Sequence, residues 1–293
     1  MPHVLTLIAD RTATALDDAT IARVREAIQG REPDLLSPGE AADIGCATAP
    51  DMLVVRHALS GQAIDAIAQP VAGRRKALLI ADMDSTIVDG ETLDDLADFA
   101  GLRDQIAAIT ARAMNGELDF QEALRERVAM LKGLGVEALD KTWERIRFTP
   151  GARELVATMR AHGAVTALVS GGFTFFTSRV AAELGFDIHH ANTLLDDGAA
   201  LTGAVNEPIL GRDAKVSTLR ELAEHRGIPL EQTLAVGDGA NDLDMLALAG
   251  LGVAYHPKPI VAARARACVA HADLRALLFA QGYRRDEIGQ NAE

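Results

Sequence analysis

The stretch Ala77-Leu-Leu-Ile-Ala-Asp82-Met-Asp-Ser-Thr86 decides how the chain folds. Five apolar residues in a row are too short for a buried helix and lack the alternation of a half-exposed strand. They predict a short strand covered on both faces, as in a parallel sheet. The sudden change to Asp82, Asp84, Ser85 and Thr86 marks the carboxyl end of that strand, where open α/β sheets form their ligand crevices. Beyond Pro150, further apolar runs at Ala164 to Val169, Ile188 to Ala191, Leu234 to Val236, Leu251 to Ala254 and Ala267 to Val269 alternate with helical periods. That alternation predicts an open parallel sheet with helices packed on it.

Between the first strand and Pro150 the pattern changes. From Glu91 to Ile146 the period is helical, with Leu93, Leu96, Phe99, Ile106, Ile109, Leu124, Val128 and Leu131 at core spacings, so a helical insertion is expected. Asp196-Asp-Gly198 predicts a tight turn in a small β excursion. Upstream, Val4 to Ile8 reads as a strand and Ala15 to Gln29 as an amphipathic helix, followed by short mixed elements as far as Pro70. Val71 to Lys76 reads as a linker. The expected organisation is therefore an α+β domain over residues 1–72 and a catalytic domain over 73–293, with the helical insertion at about 91–147. Because every polar strand-end cluster lies beyond Gly73, that part is expected to fold alone.

Composition bounds the function. The 293 residues are 48% hydrophobic and 24% charged, a globular mixture that argues against disorder, a coiled coil or a membrane bundle. A formal net charge of -13 opposes binding to nucleic acid or anionic lipid, so an anionic substrate would need a local positive pocket. Cys46 and Cys268 stand far apart and outside any CxxC pair, which predicts two ordinary buried thiols in a reducing cytosol. The N-terminal run has no basic leader and no segment approaches bilayer length, so neither a targeting signal nor a membrane span is expected.

Four polar clusters follow apolar strands or open helices: Asp82 to Thr86, Ser170-Gly-Gly172, Lys215, and Gly237-Asp238-Gly239-Ala-Asn241-Asp242. Each alone is weak. A lone DxD is more often a turn or cap pair, Ser-Gly-Gly a loop, and a helix lysine a solvated side chain. An EF-hand is excluded, because Ile87 and Leu93 stand where its glycine and glutamate belong. His189 and His190 are adjacent, so in a strand they would point to opposite faces and make a poor joint metal site. His256 before Pro257 reads as a loop residue, and Met245 and Leu246 as a helix core face.

In that order the clusters resemble the four motifs of the haloacid dehalogenase (HAD) superfamily of phosphohydrolases, DxDx[TV], Ser, Lys and GDGxND, over about residues 75 to 285. The resemblance implies a Rossmann-like α/β core with a C1-type helical cap, and chemistry on a phosphomonoester. Asp82 would attack phosphorus, and Asp84 would protonate the leaving oxygen and later deprotonate water. Asp82, the backbone carbonyl of Asp84 and Asp238 would hold Mg2+, with Asp242 as a further ligand or a support for Asp238. Ser170, the Gly171 N–H, Lys215 and Asn241 would hold the phosphate.

The insertion carries a narrower resemblance, to the phosphoserine phosphatase family. Glu91, and Met114, Phe120 and Arg127 within Ala113 to Val128, stand at matching positions. The resemblance implies that Arg127 clamps a substrate carboxylate, Glu91 pairs with its ammonium, and Met114 and Phe120 exclude water. It implies hydrolysis of O-phospho-L-serine in serine biosynthesis. The alternatives are transfer to an alcohol acceptor, hydrolysis of another small phosphomonoester, and a non-catalytic amino-acid sensor. The N-terminal part resembles an ACT-like module, with Asp10-Arg-Thr12 as the nearest candidate for its ligand turn and a structural or homodimer-forming role as the alternative.

Overall fold

The computed structural model describes residues 2–10, 12–114 and 117–289; the side chain of Met114 lies outside that description, as does Arg11 of the candidate ligand turn. The first 70 residues run β1 (His3–Ala9), α1 (Asp18–Ala27), β2 (Pro33–Ser37), β3 (Ala41–Cys46), α2 (Met52–Leu59) and β4 (Ile64–Pro70). The four strands form an antiparallel sheet in the order β2-β3-β1-β4, so each βα pair is split by an intervening strand, as in ferredoxin-like folds. Helix α1 is shorter than its apolar period predicts. Asp17 caps its first turn through the Thr20 N–H at 2.7 Å, and Leu16 is drawn into a bridge with Gly39.

Strand alternation gives this sheet two jobs. Leu5, Leu7 and Ala9 of β1 pack with Ile21, Val24, Val55 and Leu59 under the two helices. The opposite face puts Ile8, Leu36, Ala41 and Ile67 into one core with Leu274, Leu278 and Phe279 near the other end of the chain. A polar seam flanks that contact. Asp43 accepts from the Thr6 hydroxyl at 2.7 Å and pairs with Arg74 at 2.6 Å. Asp65 accepts the backbone N–H groups of Ala270, His271 and Ala272 at 2.8, 3.1 and 2.8 Å.

The remainder runs β5 (Leu78–Ala81), a tight turn (Met83–Ile87) whose Asp84 and Ser85 are non-helical, α3 (Thr92–Asp98), α4 (Arg103–Met114), α5 (Phe120–Met130), α6 (Glu137–Arg145), α7 (Ala152–Ala161), β6 (Val165–Phe173) and α8 (Thr174–Leu184). It continues through β7 (Ile188–Asn192), β8 (Leu194–Asp196), β9 (Leu201–Val205), α9 (Arg212–Arg226) and β10 (Thr233–Gly237). The last elements are α10 (Leu243–Leu248), β11 (Leu251–Tyr255), α11 (Pro259–Ala262), β12 (Ala267–Val269) and α12 (Ala276–Ala280). Six strands form a parallel sheet in the order β12-β11-β10-β5-β6-β7. Strand β5 sits between β10 and β6, whose connections leave to opposite sides, and such a switch point opens a crevice at the strand ends.

The insertion is four helices, α3 to α6, and both of its connections to the core pass through one narrow ribbon. Val88 bridges Phe148, the Asp89 N–H donates to the Arg147 carbonyl at 2.8 Å, and the Thr149 N–H donates to Ile87 at 3.0 Å. The hairpin β8–β9 packs on α5, its turn tied by the Asp197 carboxylate to the Ala199 and Ala200 N–H groups at 3.0 and 2.9 Å. Among the described residues no helix is long and apolar enough to cross a membrane.

Candidate active site

The apolar run of β5 ends at Asp82, whose N–H donates to the Val236 carbonyl of β10 at 3.0 Å. That bond fixes Asp82 across the seam between two strands. The chain then turns through Met83–Ile87, with Ser85 in the left-handed region at φ 53°. Its N–H donates to the Gly90 carbonyl at 2.9 Å, which folds Glu91 and Thr92 back over the turn. Asp84 consequently accepts the Thr92 N–H at 2.8 Å on one oxygen and the Ser170 hydroxyl at 3.3 Å on the other.

Ser170, Gly171 and Gly172 belong to strand β6, which runs four residues beyond the apolar stretch that predicted it. A register shift between Val169 and Phe173 exposes this segment to the crevice. The Ser170 hydroxyl accepts the Gly172 N–H at 2.8 Å. A Cβ at Gly172 would stand 2.8 Å from an Asp84 carboxylate oxygen and 3.0 Å from Ser170 Oγ, so glycine is what lets this backbone approach the acid. Asn192 of β7 holds the segment from behind, donating to Gly171 at 2.9 Å and accepting the Leu210 N–H at 2.7 Å.

Lys215, from the first turn of α9, reaches into the crevice and is 2% exposed. Its ammonium lies 2.7 Å from Asp82 Oδ1 and 2.6 Å from Asp242 Oδ1. The other oxygen of Asp242 accepts the Gly239 N–H at 3.0 Å. Asp242 is thus engaged on both oxygens, which favours a role in holding Lys215 and the 237–242 turn. Burial opposes the charge on Lys215, but Asp242 and Asp82 outweigh it and hold the ammonium above the ordinary lysine range.

The carboxylates move the other way. Burial, then Asp242, pushes Asp82 well up despite Lys215, and burial also raises Asp84 against the bonds from Thr92 and Ser170. Asp238 is pushed to about 7 by burial and by Asp242. Glu91, bonded by the Ser85 hydroxyl at 2.8 Å, is pushed to about 8 by lost hydration and by Asp84 and Asp238. So many crowded acids call for a cation beyond Lys215.

Asp82, Asp238 and Asp242 each bring a carboxylate oxygen within 4.8 Å of the others. Asp238 Oδ1 is buried with no hydrogen-bond partner among the described residues, an arrangement expensive for a carboxylate unless a ligand completes it. An all-oxygen set with an orphaned carboxylate oxygen fits a hard divalent cation.

The cap closes the crevice. Glu91, Phe120 and Arg127 line one cavity with Asp82, Asp84, Ser170, Gly171 and Asn241. Arg127 is 6% exposed; its Nε donates to the Ala123 carbonyl at 3.1 Å and its Nη1 to the Thr110 hydroxyl at 3.0 Å. A Cβ at Gly171 would meet the Phe120 ring at 2.6 Å, so the ring lies directly over the strand end. The sequence-predicted residues therefore converge, apart from Met114, whose side chain lies outside the described residues. Four participants escape the motif reading: Thr92, Thr110, Asn192 and Lys258, the last with Nζ 3.9 Å from Asp238. Asn192 directly follows the β7 apolar run, the one signal that could have found it.

The histidines, Met245, Leu246 and the cysteines singled out in the sequence take ordinary places. His189 bonds the Thr177 hydroxyl at 3.1 Å and His256 the Ala272 carbonyl at 3.0 Å. Met245 and Leu246 are buried, and both cysteines are free, Cys46 buried and Cys268 only partly so.

The model of the haloacid dehalogenase-like hydrolases matches residues 79–247. A protein named phosphoserine phosphatase from Streptomyces coelicolor is 42% identical over 236 residues, which are 80% of this chain and 58% of that one. The chain thus spans little more than half of that relative's length. A solved structure described as a phospho-aspartyl intermediate analogue of phosphoserine phosphatase superposes with a TM-score of 0.67 at 42% identity, covering 70% of this chain and 98% of that chain. The crystal structure of a HAD family hydrolase from Salmonella enterica serovar Typhi superposes with a TM-score of 0.83 at 30% identity, covering 94% and 97% of the two chains. That last match extends through the N-terminal sheet.

Proposed function

This chain belongs to the haloacid dehalogenase-like hydrolase family, and from that premise we propose that it hydrolyses O-phospho-L-serine to serine and phosphate through an aspartyl-phosphate on Asp82. The observation that carries the substrate is the pairing of Arg127 and Glu91 in the cavity that also holds Asp82, Asp84 and Ser170. Phosphoserine has one group for each. Its carboxylate meets the guanidinium, its ammonium meets Glu91, and its phosphate reaches the strand ends.

Asp82 keeps one oxygen on Lys215 and turns the other toward phosphorus, so the nucleophile is oriented before substrate arrives. Attack forms the acyl-phosphate and breaks the bond to the serine oxygen. Asp84, whose burial favours the protonated acid, delivers its proton to that oxygen; ionised, it then takes a proton from the water that cleaves the acyl-phosphate. Lys215, the Ser170 hydroxyl and the Gly171 N–H supply donors for the equatorial oxygens, where charge is spread in a loose transition state. Magnesium held by Asp82, Asp238 and the Asp84 carbonyl would add positive charge at the same oxygens. Phe120 covers the cavity and excludes water from the serine side.

This reading places the enzyme in the cytosol, which its two free cysteines support. The test is steady-state hydrolysis of phosphoserine, phosphoethanolamine and p-nitrophenyl phosphate by the wild type and by Arg127→Ala, with magnesium and after chelation. The reading requires loss of all activity on chelation, and loss of kcat/KM by about a hundredfold on phosphoserine alone with Arg127→Ala, the scale of a charge-assisted bidentate contact. Equal losses on all three substrates would sink the phosphoserine assignment.

A further inference from the structure

Three cap helices each send one buried polar side chain to a common point. Asp94 comes from α3, Thr110 from α4 and Arg127 from α5, and they are 9%, 4% and 6% exposed. The Thr110 hydroxyl donates to Asp94 Oδ1 at 2.8 Å and accepts from Arg127 Nη1 at 3.0 Å. The Ile106 carbonyl also lies 3.0 Å from that hydroxyl, but a hydroxyl has one proton and the shorter, charged acceptor takes it. With its proton on Asp94, the hydroxyl presents lone pairs to the guanidinium.

A buried guanidinium needs a counter-charge. A carboxylate touching it directly would supply one, but would occupy the fork needed to hold a substrate carboxylate. Among the described residues Arg127 makes no ion pair within 4.0 Å. Asp94 is instead held one hydroxyl away. Nε is tied to Ala123, Nη1 is steadied by Thr110, and neither bond uses Nη2, so an end-on pair from Nη1 and Nη2 can still face the cavity.

We propose that Thr110 and Asp94 are positioning residues that set the orientation of Arg127, and thereby the preference for a phosphomonoester bearing a carboxylate next to its phosphate ester. This rests on the reading of Arg127 as the carboxylate clamp. It goes further by assigning the discrimination to a relay across three helices. Neither residue reaches the reacting phosphorus. Loss of the relay should raise KM for phosphoserine more than it lowers kcat, because the clamp is loosened and the chemical groups are left in place.

The experiment measures kcat and KM of the magnesium-loaded enzyme on phosphoserine and p-nitrophenyl phosphate for Thr110→Val, Thr110→Ser, Asp94→Asn, Arg127→Ala and the double variant Thr110→Val with Arg127→Ala. Thr110→Val keeps the shape and removes the hydroxyl. The expected result is a rise in KM for phosphoserine of about tenfold or more, corresponding to the loss of one charge-assisted hydrogen bond. The loss on p-nitrophenyl phosphate should be several-fold smaller, Thr110→Ser should recover most of the affinity, and Thr110→Val should add nothing once Arg127 is alanine. Asp94→Asn should follow Thr110→Val. Equal losses on both substrates, or an effect that persists in the Arg127→Ala background, would overturn the relay while leaving the clamp intact. If Arg127→Ala itself leaves the substrate preference unchanged, the clamp reading fails first, and the relay falls with it.

Discussion

The ammonium of Lys215 lies 2.7 Å from Oδ1 of Asp82, and both side chains are buried. Lys215 also donates to Oδ1 of Asp242, whose other oxygen accepts the Gly239 N–H. Removing its charge would strand two buried carboxylates at once.

Lys215→Met is therefore expected to lower stability as well as activity. Breaking a buried pair by deleting one partner costs about 3 kcal/mol or more. Urea unfolding of the metal-free variant should show a loss of that size near neutral pH. The loss should shrink at acid pH, where Asp82, raised by burial, takes up a proton. Unaltered stability at neutral pH would mean that water reaches these carboxylates and the site is not dry.

Gly172→Ala tests how closely the β6 backbone approaches the acid. The new methyl would stand 2.8 Å from the Asp84 carboxylate and 3.0 Å from Ser170 Oγ, so one of them must move. We expect kcat to fall at least about tenfold, equivalent to ~1.4 kcal/mol of barrier, with little change in melting temperature. A variant as fast as the wild type would show that Asp84 does not need this orientation.

Much of this site was legible because strand ends announce themselves. The apolar runs before Asp82, Ser170 and Gly237 end abruptly in polar residues, and a parallel sheet must gather those ends at one edge. Asp94 and Thr110 gave no such signal, since polar residues at helical spacing read as a solvated face until a neighbouring helix covers them. The second face of the N-terminal sheet was hidden for another reason. Thr6, Asp43 and Asp65 look like the exposed side of alternating strands, and their partners lie at Arg74 and at residues 270–272. Sequence periodicity carries no information about contacts that distant.

That hidden face changes the expectation for a chain beginning near Gly73. Without the first sheet, apolar side chains including Leu278 and Phe279 lose Ile8, Leu36 and Ile67, and the N–H groups of Ala270 to Ala272 lose Asp65. The truncated protein should melt well below the full chain or precipitate, although every catalytic motif remains. A melting temperature equal to that of the full chain would restore the expectation of autonomous folding.

Glu91 gives a pH dependence with a definite sign. Lost hydration, with Asp84 and Asp238, raises its carboxyl from 4.5 to about 8 in the folded protein. Below the lower value both states hold the proton. Between the two the unfolded chain releases it and the folded protein does not, so stability falls as pH rises and the loss is complete above about 8. Glu91→Gln should remove part of that slope in the metal-free protein, read as melting temperature across this window. An identical slope in the variant would show that Glu91 keeps its water.

Asp82 is proposed to carry the phosphoryl group of phosphoserine, and that group can be trapped. The magnesium-loaded enzyme would be mixed with phosphoserine radiolabelled in its phosphate, quenched in acid during turnover, and digested so that the labelled peptide can be sequenced. The label should sit on Asp82 and disappear in Asp82→Asn, which still offers Lys215 and Ser170 for binding phosphate but has no carboxylate to attack with. Label at any other residue, or turnover of phosphoserine by Asp82→Asn at the wild-type rate, would rule out Asp82 as the nucleophile.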